Sequence, residues 1–332
     1  MNYANDQDEI TFPFCETRAV GLDDKYIDKK TATLNRKFFM SQTTVTNALM
    51  AEVLQWAYDN GKFSTEENAH NRLRSTAAFH GNQELLKFSP TIIGYSDGIF
   101  TVNSGYENHP VVWISWYGAI MFCNWLTEMR DGHTNNVVYT GIFKNWDHRE
   151  TERRDSNTGY RLPSSKEQEY CARYIGKTEP TVPDGTTIPN LATEYIAKNY
   201  NGGHTDLTSG YYWTPGLYAS GAIKDYKDET ETRAVCWFGI DPLMQPNPIY
   251  GNDKYELMPV EQKRANQLGL YDMSGNVQEW CFDAYAYNNE IQRVLQHIWF
   301  GNYYYDAWLA RWSTKEPNYP DSGIGFRFAR TK

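Results

Sequence analysis

The chain has 332 residues, 40% hydrophobic and 22% charged, enough to bury a substantial core and too long for a small cysteine-stapled scaffold. Its net charge of −9, with no basic cluster, argues against nucleic acid as a partner, because phosphate recognition needs concentrated lysine and arginine. Aromatic residues reach 15%, with 25 Tyr and 11 Trp, and rings in that number favour a loop-rich protein with an aromatic contact face.

The opening residues, MNYANDQDEI, lack the basic and apolar regions of a signal peptide, and residues 1–36 are read as a segment leading into the fold. A helix is expected from near Thr46 through LMAEVLQWAY, with Leu49, Val53, Trp56 and Ala57 on one face and Asn60-Gly61 as its stop. A second follows PVVWISW, capped by Ser115, with Ala119, Phe122, Cys123 and Leu126 at helical spacing. A third opens on a capping box, Ser164 with Glu167, and is expected to run to Gly176.

Residues 177 to about 256 are rich in Gly, Pro, Thr, Asp and Tyr without periodicity, the signature of short strands in long loops. KDYKDETETR within that insertion looks solvent-facing, whereas Tyr211, Tyr212, Trp213, Tyr218, Trp237 and Phe238 argue for an ordered, packed insertion. Short segments resume at Met258, and the closing GIGFRFAR alternates Ile324, Phe326 and Phe328 with Gly325, Arg327 and Ala329, as a half-buried strand does. No apolar run is long enough to span a bilayer. Few helices amid short strands predict an α+β fold with high irregular content.

The five cysteines, Cys15, Cys123, Cys171, Cys236 and Cys281, are widely spaced and contain no C-x-x-C pair, so neither a zinc site nor a dense disulfide framework is indicated. They are read as small buried hydrophobes; one disulfide stays open, with no partners selected. The histidines, His70, His80, His109, His133, His148, His204 and His297, show no H-x-x-x-H or H-x-H spacing and are read as surface residues.

Several blocks, in order, resemble the formylglycine-generating enzyme/sulfatase-modifying-factor family, a variant of the C-type lectin fold. They are FFMSQTTVTNALM, PVVWISWYGAIMFCNWLTE, GYRLPSSKEQEYCAR, MPVEQKRANQLGLYDMSGNVQEWC and GIGFRFAR. The resemblance spans roughly residues 37 to 330 and implies a single domain of that fold over 37–330, few-helixed and irregular, carrying the insertion at about 177–256. Fold alone does not fix function. Catalytic members resemble one another in a C-terminal W-x-C-x-x-x-x-C pattern, whose thiolates bind copper and carry the redox change. Set on Trp299, that pattern places Gly301 and Asp306 where the thiols belong, so as a formylglycine-generating enzyme this chain should be inactive.

The resemblance also implies a calcium site in DMSGNVQE, through Asp272, Gly275, Val277 and Glu279, since hard oxygen donors on a tight turn suit that ion. The plainer alternative is that Asp272 and Asn276 order the turn by side chain to backbone hydrogen bonds. No other cofactor is expected. The family's tryptophan at position 278 is glutamine here.

Within the family the chain resembles the variable proteins of diversity-generating retroelements, in particular a treponemal one, whose C-terminal segment is rewritten by adenine-directed mutagenesis. That segment would run from Arg293-Val294 to Gly325-Phe326-Arg327, about residues 293–327. Randomising the adenines of an AAC or AAT codon yields pyrimidine-ending codons only, and between 295 and 306 just Gln296 and Trp299 fall outside that set. The expected variable surface is therefore Leu295, His297, Ile298, Phe300, Gly301, Asn302, Tyr303, Tyr304, Tyr305 and Asp306, with Ser313, Asn318, Tyr319, Asp321 and Ser322 as further candidates. Trp299, Trp308, Trp312 and Arg311 are read as scaffold. Tyrosines held on a rigid frame make a paratope; alternatively the YYY run forms a strand that buries every second ring.

The resemblance thus implies a non-enzymatic, receptor-like protein. Its expected ligand is a protein, with carbohydrate, assisted by calcium, as one alternative and an oxidase-type enzyme of the same fold as another. It also implies an exported precursor, lipid-anchored at the cell surface.

Overall fold

A computed structural model describes residues 2–14, 30–66, 72–75, 84–87, 92–141, 151–177, 211–239, 257–287, 290–309 and 311–332. Local chemistry sets the helices. In α1 (Asn47–Asp59) the Thr46 hydroxyl accepts from Leu49 N, satisfying one of the orphan donors of the first turn. In α2 (Trp116–Asp131) Ser115 does the same for Gly118 N, and Gly132 ends the helix at φ 73°, a left-handed cap that glycine adopts without strain. In α3 (Ser165–Arg173) the Ser164–Glu167 capping box forms as expected.

Two elements differ from expectation. α3 stops at Arg173 rather than Gly176, because Tyr174–Gly176 turns into a strand that pairs with Tyr212–Trp213 of the insertion. The polar stretch at 224–233 contains a helix, α4 (Glu229–Val235), capped by Asp228 and inserting Thr232 and Val235 into the interior. The insertion is packed where it is described, with Trp213, Tyr218 and Tyr226 all buried. Residues 178–210 and 240–256 lie outside the described residues.

Two four-stranded sheets frame the molecule. In the first, the order is Asn2–Asn5, Phe38–Met40, Ala329–Thr331 and Tyr160–Arg161, so segments from both extremes of the sequence meet in one ladder. Ile10, Phe12, Ala32 and Leu34 join a core cluster with Tyr170, Trp213 and Leu309. The described residues before position 37, 2–14 and 30–36, are therefore built into the fold rather than leading up to it. In the second sheet the order is Trp312–Lys315, Glu290–Gln296, Gln278–Tyr287 and Ile324–Gly325, the last pair parallel. Its inner face, with Trp280, Leu295, Ile324 and Phe326, packs on α1 and α2 as the larger core.

The closing segment is buried on both faces rather than one. Phe326 and Phe328 enter the core, while Arg327, also fully buried, points the other way to an acidic partner. Among the described residues the four cysteines Cys123, Cys171, Cys236 and Cys281 are buried and unpaired, as small apolar side chains are; Cys15 lies outside them. No helix among the described residues is long and apolar enough to cross a membrane.

Candidate functional site

The frame of the site is the DMSGNVQE block. Glu279 receives Arg327 Nε at 2.7 Å and Nη2 at 2.8 Å, a bidentate pair that is fully buried. Gln168 of α3 adds Nε2 at 2.6 Å to the same carboxylate. Asn276, buried and left-handed at φ 66°, is a hub. Its side chain exchanges two hydrogen bonds with the backbone of Met258, its N–H donates to Trp237 O, and its carbonyl accepts from Phe300 N. Asparagine is among the few residues that hold φ > 0 cheaply. Gln278, at the family's tryptophan position, donates to His297 O at 3.2 Å and to the Ser313 hydroxyl at 3.0 Å, tying two strands together.

From this frame the chain leaves the strand Glu290–Gln296 and runs through residues 297–309 as an irregular loop. Its ends are sunk: Ile298, Ala307, Trp308 and Leu309 are buried. Between them, Phe300, Gly301, Asn302, Tyr303, Tyr304 and Asp306 are half-buried. The tyrosines do not form the alternating strand considered above; Tyr304–Asp306 is a 3-10 turn. Asp306 forms an ion pair with Arg311 across the turn. Trp299 lies over two glycines, since a Cβ built on Gly301 or on Gly323 would meet its ring at 2.5 and 2.6 Å. That indole joins the loop to the 317–323 segment.

The expected variable positions fall into distinct groups. Leu295 (0% exposed), His297 (1%) and Ile298 (1%) are corrections, because they face the interior and present no contact surface. Leu295 packs beside Trp280, and Ile298 lies in a cluster with Tyr218 and Val235. His297, expected at the surface, has a left-handed φ of 70°, and among the described residues neither ring nitrogen has a hydrogen-bond partner. Burial pushes its pKa down to about 4. Gly301 is sterically tied to Trp299. Phe300, Asn302, Tyr303 and Tyr304 stand together on the loop. The side chain of Tyr305 lies outside the described residues. Asn318 and Tyr319 are exposed on the neighbouring segment, with Lys315 Nζ 4.6 Å from the Tyr319 ring centre, while Ser313, Asp321 and Ser322 are half-buried. Trp308 and Trp312 are buried, as scaffold should be, whereas Trp299 is only half-buried.

Sequence reasoning missed the wall beside the loop. Phe238 of the insertion has its ring centre 6.0 Å from that of Tyr304, and Arg233 of α4 stacks over Phe238 at 4.6 Å. The density of aromatic residues in the insertion was the available signal.

The four residues implied for calcium do not fit as a cage. Both Glu279 oxygens are occupied by a buried guanidinium, which would repel a cation, and Gly275 O accepts from Val277 N. Asp272 Oδ2 accepts from Glu261 N, leaving Oδ1 as a buried oxygen without a hydrogen bond among the described residues, and burial lifts its pKa to about 6. A single free carboxylate oxygen is a poor site for a hard divalent ion, which takes roughly six to eight oxygen ligands. No group of three His, Cys, Asp or Glu side chains is placed to hold a metal among the described residues. Gly301 and Asp306 carry no thiol. The cysteine nearest in sequence, Cys281, is fully buried in the core, with its pKa raised chiefly by that burial.

Comparison with known proteins agrees with this fold. A chaperone protein, LppX, of Paenibacillus barcinonensis is 24% identical over 275 residues, covering 79% of this chain and 81% of its own. Among solved structures, CarF is similar with a TM-score of 0.57 at 21% identity, covering 98% of both chains. Variable protein 1 of Treponema denticola is similar with a TM-score of 0.53 at 19% identity, covering 98% of this chain and 95% of its own. At these identities the structural likeness concerns the fold. The sulfatase-modifying factor enzyme 1-like domain matches residues 14–332, nearly the whole chain, and this protein belongs to that family.

Proposed function

We propose that this protein is a non-enzymatic, ligand-binding member of the family, whose loop around residues 299–306 is a diversified contact surface. The observation that carries the reading is local. Where the family's thiol pair would stand, the loop presents half-buried Phe300, Asn302, Tyr303 and Tyr304 from a backbone sunk at both ends. Rings with few rotatable bonds, interleaved with adaptable polar groups, are the composition of a paratope. Held on a buried, hydrogen-bonded frame, they lose little entropy on binding, which favours a protein ligand with a broad contact area.

The variable set is narrower than codon reasoning suggests: Phe300, Asn302, Tyr303, Tyr304 and Tyr305 at its centre, with Ser313, Asn318, Tyr319, Asp321 and Ser322 towards the rim. Asp306 is engaged with Arg311 and varies only if that pair is given up. The name of the Paenibacillus relative, a chaperone, points in the same non-catalytic direction. An exported, surface-anchored precursor suits such a role, since a diversified binder acts where it meets foreign ligands.

The test is genomic. A reverse transcriptase gene and a near-copy of codons 293–327 are expected beside the gene. A near-copy without adenines in the codons for Tyr303 to Tyr305 sinks the reading, and copper-dependent oxidation of a cysteine peptide by this chain would restore the enzymatic one.

A further inference from the structure

We infer that residues 217–239 of the insertion are the bed of the contact loop, and that Phe238 is the positioning residue that fixes the loop's exposed half. The inference rests on the reading of 299–306 as a contact surface, but its support is separate. Both buried ends of the loop, Ile298 and Ala307, pack in one cluster with Tyr218, Ala219, Ala222, Val235 and Cys236, all from the insertion. At the loop's far end, Leu309 N donates to Tyr218 O at 2.9 Å. At its centre, Gly239 N donates to Asn302 O at 2.6 Å, and the Phe238 ring lies against Tyr304.

The family frame reaches this part of the loop through Asn276, and Asn276 also holds the insertion, donating to Trp237 O at 3.0 Å while accepting from Phe300 N at 2.8 Å. Frame, insertion and loop thus meet at one buried asparagine. The mechanical consequence follows. The turn Tyr303–Ala307 carries two short-range backbone bonds of its own, Asp306 N to Tyr303 O and Ala307 N to Tyr304 O, beside the Asp306–Arg311 ion pair. A single 3-10 turn of that kind is not stable by itself. Phe238, backed by the Arg233 guanidinium, supplies a lateral contact to Tyr304 from outside the loop and so favours one arrangement. A loop whose sequence changes needs a support whose sequence does not, and this segment of the insertion lies outside residues 293–327.

Amide hydrogen exchange on the full chain tests this without any ligand. Phe238→Ala should raise exchange at Asn302, Asp306 and Ala307 by about tenfold, while the amides of α2 keep wild-type rates. Phe238→Tyr, which retains the ring, should restore loop protection. Unchanged exchange in the loop of Phe238→Ala overturns the inference. Loss of protection throughout the chain does so equally, because Phe238 would then serve the whole fold. The result is independent of the genomic test, so a protected loop beside an absent template would leave the bed standing and remove the diversified surface.

Discussion

Trp299 lies across Gly301 and Gly323 like a plate on two supports, and either glycine replaced by alanine drives a methyl group into the indole. Gly323 meets the base of the ring, which has little room to swing, so Gly323→Ala should cost about 1–3 kcal/mol, the range for overpacked sites. A lowered midpoint in urea together with a red-shifted tryptophan emission checks it; an unchanged spectrum would mean that Trp299 is not seated there.

His297 offers a second test. Its pKa falls to about 4 in the fold against about 6.5 in an unfolded chain, so between those values the unfolded state binds the extra proton and stability drops as pH falls. Asp272 works in the opposite sense. With its pKa raised to about 6 it binds the proton in the folded state, and its cost is relieved as pH falls from about 6 to 4. The two oppose each other over the same window. His297→Asn, which tolerates the left-handed backbone, should therefore gain on the wild type by up to about 3 kcal/mol between pH 6.5 and 4. Chemical denaturation at both pH values measures it, and parallel pH profiles for the two proteins would contradict it.

Helix starts were legible because their chemistry lies within four residues. Thr46, Ser115 and Ser164 each accept from the donor expected of a cap. Ser164→Ala should cost about 1 kcal/mol, seen in thermal denaturation, because Glu167 N loses its acceptor while the reciprocal bond from the backbone N–H of residue 164 to the Glu167 carboxylate remains. Strand partners were less legible, since they depend on contacts far apart in sequence. Nothing local to Asn2–Asn5 announces its pairing with Phe38–Met40, or the ladder that continues to Ala329–Thr331. The contact loop was legible in composition and illegible in orientation. Codon reasoning says which residues are reachable by mutation, but not that Leu295, His297 and Ile298 turn inward. That depends on the partner strand and on the insertion beneath. α4 was missed because seven residues, rich in Glu and Thr, carry no helical periodicity.

At the scale of the molecule, the Glu279–Arg327 pair commits two fully buried charges to each other across 48 positions of sequence. Removing one partner leaves the other charge stranded in the interior, at a cost of about 3–5 kcal/mol, comparable with the whole stability of an ordinary domain. A chain ending after Gly323 lacks Arg327, both core phenylalanines of the closing segment and the strand Ala329–Thr331 that sits second from the end of its sheet. Such a chain is expected to be degraded rapidly in a pulse-chase experiment, and survival at the wild-type rate would show that closure is dispensable.

The position of that strand gives synthesis an order. Residues 293–323 leave the ribosome before the closing strand, yet the sheet cannot complete until the strand has emerged. A premature stop anywhere in residues 293–323 therefore deprives the chain of its last tie, and the product is left to proteases. Folding acts as an inspector stationed downstream of residues 293–323, passing only chains that go on to supply the closing strand.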